Sequence, residues 1–81
     1  MPTIHREAGF IVIVRTDDHP PLHVHVVYAG KEALVNIGNA EEAPSLRQAR
    51  GMRTPDVGRA VRLIAKHQEL CLAAWEKYHG T

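Results

Sequence analysis

Three of the six histidines, His19, His23 and His25, fall within seven residues, around the pair Pro20-Pro21. Two residues apart on an extended segment, His23 and His25 project from one face about 6–7 Å apart, within reach of one ion or one phosphate. With His19 as a third ring from the proline loop, they match the three-histidine, open-position ligand set of a catalytic zinc. Two histidines beside an arginine suit a different chemistry, metal-free cleavage of a phosphodiester, in which one ring takes a proton and another gives one. The plainer alternative is that the rings hydrogen-bond loop carbonyls, or Asp17 and Asp18, and hold the turn together. On sequence grounds all three stay open.

Elsewhere the chemistry is sparser. His67 and Cys71 stand at i,i+4, but the strand histidines are expected to point away from them. A core histidine beside an inert buried thiol is therefore the expectation. His5 and His79 carry no signal of their own. Charge is unevenly spread: residues 43–68 hold Arg47, Arg50, Arg53, Arg59, Arg62 and Lys66 against the lone acid Asp56, a net +5, whereas the rest of the chain carries −4. Such a basic patch suits nucleic acid or an acidic partner; its bland counterpart is a solvated helix face. No aromatic residues interleave with the arginines, so base stacking is not indicated. A Gly-rich phosphate loop, a serine nucleophile motif and paired carboxylates are all missing from the sequence.

The elements that would hold these residues can be read from pattern. At 81 residues the chain is expected to be a single domain, 1–81, small enough that a partner chain would add stability. Hydrophobic residues at 44% and charged residues at 23% argue against disorder. The single cysteine cannot form an internal disulfide, the opening residues lack a signal-peptide pattern, and no apolar run approaches a membrane span. A cytoplasmic location is expected.

The apolar, β-branched run at residues 9–15 predicts a strand, with a short strand from Thr3 to Arg6 before it and Ala8-Gly9 as the turn. A second strand is predicted at 23–29, a II′ turn at Gly30-Lys31, and a third strand at 32–37. Residues 40–53 read as loop, with Ser45 capping one helical turn. Thr54-Pro55-Asp56 supplies an N-cap hydroxyl, a proline at the first helical position and an acid in the first turn. A long helix follows over 55–78, with Gly80 as its stop and Ile64, Trp75 and Tyr78 as its anchor on the sheet. The expected fold is α+β, a three-stranded antiparallel β-meander with a long C-terminal helix on one face. Alternation puts Val24, Val26 and Tyr28 beneath the helix, and His23, His25 and Val27 on an uncovered face that another chain would meet.

Three stretches carry a resemblance: Met1-Pro2-Thr3-Ile4, then Asp18-His19-Pro20-Pro21-Leu22-His23-Val24-His25-Val26, then Ala74-Trp75-Glu76-Lys77-Tyr78-His79-Gly80. Together with Arg50-Gly51-Met52 they resemble a small bacterial family catalogued as domain of unknown function 4160, over nearly the whole chain. One departure is local: Leu22 separates Pro21 from His23, where the family pattern places both prolines directly before the His-x-His. The resemblance implies a protein encoded beside a second short gene, in pairs resembling toxin–antitoxin modules, hence a protein partner and a nucleic-acid target. It implies no catalytic residues.

The leading expectation is an interaction module in such a two-protein unit, with Arg47, Arg50, Arg53, Arg59, Arg62 and Lys66 meeting the partner or nucleic acid. The alternatives are a small enzyme using His19, His23 and His25, as zinc ligands or acid–base groups, and a homodimeric structural domain without catalysis.

Overall fold

The computed structural model describes residues 2–17 and 19–79, so Asp18 and Gly80, invoked above as a turn partner and a helix stop, lie outside the described residues. Five strands form one antiparallel sheet in chain order, β1 (Thr3–Glu7), β2 (Phe10–Ile13), β3 (His23–Tyr28), β4 (Lys31–Asn36) and β5 (Ser45–Arg50). Two helices follow, α1 (Thr54–Lys66) and α2 (Gln68–His79). The α+β class and the three central strands are as expected. The sheet is wider, with a strand added at each edge.

Both tight hairpins turn on an alanine-glycine pair. Ala8 and Gly9 have φ of 50° and 85°, and Ala29 and Gly30 have 50° and 77°, so each pair takes the two positive-φ corners of a type I′ turn. Tyr28 pairs with Lys31, which places Ala29-Gly30 at the corner rather than the expected Gly30-Lys31. The right-handed twist of the flanking strands favours this mirror-image turn, and glycine takes its second corner without strain.

Residues 40–53 are not loop throughout: Ser45–Arg50 form β5. Asn39 and Glu42 exchange backbone hydrogen bonds at 2.9 and 3.2 Å, and Gly38 stands at φ 73° where a Cβ would collide with the Glu42 carbonyl oxygen. That reversal returns the chain alongside β4, so Ser45 opens β5 instead of capping a helical turn. A register shift between Leu34 and Val35 lets β5 carry one extra residue, Arg47.

The predicted single helix is two. Arg53, not Thr54, is the N-cap of α1, and it makes no side-chain capping bond. At His67 the backbone leaves helical geometry (φ −116°, ψ 29°), and α2 starts at Gln68. Neither proline nor glycine sits at the break. Side chains there reach the sheet instead: Gln68 Nε2 donates to the carbonyls of Ile37 and Glu42 at 2.8 and 3.1 Å, and His67 meets Glu7 on β1. These tethers offset the small cost of interrupting the helix.

One apolar core joins Phe10, Val12, Val14, Val24, Val26, Ala33, Val35 and Ile37 of the sheet to Ala60, Leu63, Ile64, Cys71, Ala74 and Trp75 of the helices. Val24 and Val26 therefore lie where alternation put them. α1 packs on β4 and β5 and reaches β1 at its end through Lys66 and His67.

Candidate functional site

Two histidine clusters occupy different places in this frame. The first is built on β3. His23 and His25 share a face, as expected, with ring centroids 5.4 Å apart. They do not look outward, however: both are buried, at 4% and 3% exposure. The expectation of a bare face is overturned by the groups that close over these rings. His25 Nδ1 lies 2.7 Å from Glu32 Oε2, the same oxygen that accepts from Arg15 at 3.2 Å, while Arg50 donates to the other Glu32 oxygen at 3.2 Å. The indole of Trp75 comes within 5.6 Å of His23, and His79 stacks on that indole at 3.7 Å.

His23 Nδ1 stands 2.9 Å from both the Pro21 carbonyl and Arg47 Nη1. It can serve one of them at a time: protonated, this nitrogen donates to the carbonyl, and unprotonated it accepts from the guanidinium. Burial raises the Glu32 pKa, but the hydrogen bond and charge of His25, the charge of Arg15 and the Arg50 hydrogen bond outweigh it and hold this carboxyl below its ordinary range. The result is a polar network lacing β3 to β4 and β5. His19 is exposed in the proline loop. Among the described residues, His19, His23 and His25 do not form a group of converging ligand atoms.

The second cluster joins the two ends of the chain. His5 and Glu7 alternate along β1 on the side that pairs with Val12 and Phe10, and His67 descends from the α1–α2 joint. His5 Nε2 and His67 Nε2 approach the same oxygen, Glu7 Oε1, at 3.1 and 3.0 Å. Lys66 donates to the other oxygen at 3.2 Å. Hydrogen bonds from His5, then His67, then Lys66 pull the Glu7 carboxyl down to about 2. Among the described residues this is the one group of three converging His, Cys, Asp or Glu donors. The sequence reading passed over it. His5-x-Glu7 alternation was legible as a shared strand face, but His67 is 60 residues away and only the folded chain brings it there.

The basic residues are also differently placed than expected. Arg47 and Arg50 lie on a strand and fold back onto His23 and Glu32, rather than extending from a loop. Arg59 pairs with Asp56 at 3.3 Å and covers the stacked rings of Phe10 and Tyr28, and Lys66 pairs with Glu7. Arg53 is exposed beside Lys31, Asp56 and Arg59 around a cavity of about 480 Å³. Arg62 lines a second cavity, of about 240 Å³, with Arg59, Lys66 and Glu7. Cys71 is buried, and burial pushes its thiol up to about 11, so it is the inert group expected.

In comparison with known proteins, the family described as Domain of unknown function (DUF4160) matches residues 9–76. No curated protein and no solved structure matches the chain. Among the described residues no helix is long and apolar enough to cross a membrane.

Proposed function

The chain belongs to the DUF4160 family, and we propose that it works as a binding module whose sheet is extended at β5 by a strand of a partner protein. One observation carries this reading: β5 is an edge strand, and all six of its residues are exposed. An edge strand presents backbone donors and acceptors that a further strand can pair with. Leu46, at 44% exposure, offers an apolar contact on that strand, and the exposed Arg47 and Arg53 favour an acidic partner segment, Arg50 being paired with Glu32. The partner is a small protein encoded nearby, the two forming a unit like a toxin–antitoxin pair.

Arg59, Arg62 and Lys66, at three- and four-residue steps on α1, support a second reading. Their spacing of roughly 4.5–6 Å along the axis suits a nucleic-acid backbone. Pairing of Arg59 and Lys66 with acids makes it the weaker of the two. For the enzyme reading, the burial of His23 and His25 leaves little ring surface to meet a substrate, and this weighs against it.

Co-expression with the product of the neighbouring gene is the test. A stable complex on size exclusion, lost in Leu46→Glu with the chain still folded, is the expected result. A consistently partner-free monomer overturns the proposal. A homodimer broken by the same substitution would instead support the structural-domain reading. Binding of duplex DNA or RNA that falls steeply with salt and with Arg62→Glu would support the second.

A further inference from the structure

We propose that His5, Glu7 and His67 form a binding site for one zinc-class divalent cation, clamping the N-terminal hairpin to the joint between the two helices. This site is separate from the β5 edge and does not depend on the partner reading. It uses none of His19, His23 and His25.

The geometry comes first. His5, Glu7 and His67 each offer one ligand atom within 4.8 Å of the other two, and His5 Nε2 and His67 Nε2 stand 3.1 and 3.0 Å from Glu7 Oε1. Zinc bonds of about 2.0–2.1 Å to nitrogen or oxygen in a tetrahedron put neighbouring donors roughly 3.3 Å apart. An ion therefore requires those two separations to open by only a few tenths of an ångström. The imidazole rings are 4.1 Å apart between centroids and tilted by 44°, so they converge on the carboxylate rather than stacking flat.

The donor chemistry narrows the ion. Two imidazoles and a carboxylate suit zinc and its neighbours, whereas magnesium and calcium prefer all-oxygen shells. Glu7 is already ionised, and Lys66 occupies its second oxygen and leaves the first to the ion. The side chains of His5, Glu7 and His67 are 25%, 36% and 24% exposed, which gives an ion access from solvent and leaves room for water as fourth ligand. The backbone adds a further observation: α1 breaks at His67 itself, the residue that completes the set, without proline or glycine to cause it. Without an ion, the same three groups form a hydrogen-bonded cluster in which each ring donates to Glu7. The two states differ in what they do with added zinc.

Chelator-stripped protein is titrated with zinc chloride in a calorimeter and melted with and without the metal. One zinc per chain is expected, with a rise in Tm on the order of 10 °C at a hundred-fold excess over Kd. His5→Gln, Glu7→Gln and His67→Gln, each checked for folding by circular dichroism, are expected to weaken binding at least about 100-fold. His19→Gln and His23→Gln are expected to leave it unchanged. Cobalt substitution should give visible ligand-field bands without a thiolate charge-transfer band, because Cys71 takes no part. The proposal is overturned if the folded wild-type chain binds no zinc. It is equally overturned if binding survives His5→Gln and His67→Gln, or is lost in His19→Gln or His23→Gln.

Discussion

His23 and His25 stand two residues apart in sequence and are sealed in the fold; His5 and His67 are remote in sequence and meet at a half-open surface. The first pair owes its proximity to strand alternation alone and is closed over by arginines, a glutamate and Trp75. The second pair owes its proximity to the full path of the chain, from first strand to helix joint. The contrast separates density of histidine in a sequence from convergence of donor atoms in space. A dense pair on a strand in the middle of a sheet is a natural place for a locked polar network, here built with Glu32 of β4 on His25 and with Arg47 of β5 and the Pro21 carbonyl on His23. A pair at an edge strand and a helix end keeps solvent access.

Substitutions can break this contrast, and the largest effect is expected at Trp75. Trp75→Ala removes a ring that is 4% exposed and that packs on both His23 and His79, and should cost about 3–5 kcal/mol in urea unfolding. A cost under about 1 kcal/mol would mean that the indole does not seal the first cluster.

Next in size is Glu32→Ala. It leaves His25, Arg15 and Arg50 without their shared carboxylate and should cost about 2 kcal/mol, while His5→Ala shifts the unfolding midpoint by much less. Equal shifts for the two would erase the distinction between network and half-open site.

Acid sharpens the same point. The folded-state pKa of Glu32 lies below its ordinary 4.5, so its contribution is fully present above that value and is lost as pH falls through the folded-state value. Glu32→Gln should therefore flatten the fall in stability between roughly pH 5 and 3, read by denaturant titration at each pH. An unchanged acid limb would show that the network does not depress this carboxyl.

The smallest effect is kinetic. Diethyl pyrocarbonate should modify His5, His67 and exposed His19 before His23 and His25, with the order read by peptide mass mapping. Simultaneous modification would contradict the burial of the β3 pair.

Much of the architecture was legible locally. β-branched runs gave β2, β3 and β4; the Ala8-Gly9 turn and the short strand before it were also readable; and Val24 and Val26 fell on the core side by alternation. β5 was not readable, because Ser45-Leu46-Arg47-Gln48-Ala49-Arg50 has neither β-branched residues nor alternation. It becomes a strand because Gly38 and the Asn39–Glu42 turn deliver it to the edge of β4. The break at His67 was equally invisible, since the helical pattern runs straight through it and only the pull of Gln68 and His67 toward the sheet interrupts it.

What the sequence determined by itself depends on neighbours a few residues away: the three central strands, the side Val24 and Val26 take, the Ala8-Gly9 turn and the amphipathic face of α1. Tertiary structure alone decided which side chains cover the β3 histidines and which donors converge on Glu7. Those outcomes rest on contacts between residues as far apart as His5 and His67, more than 60 positions along the chain, and local spacing carries no information about them.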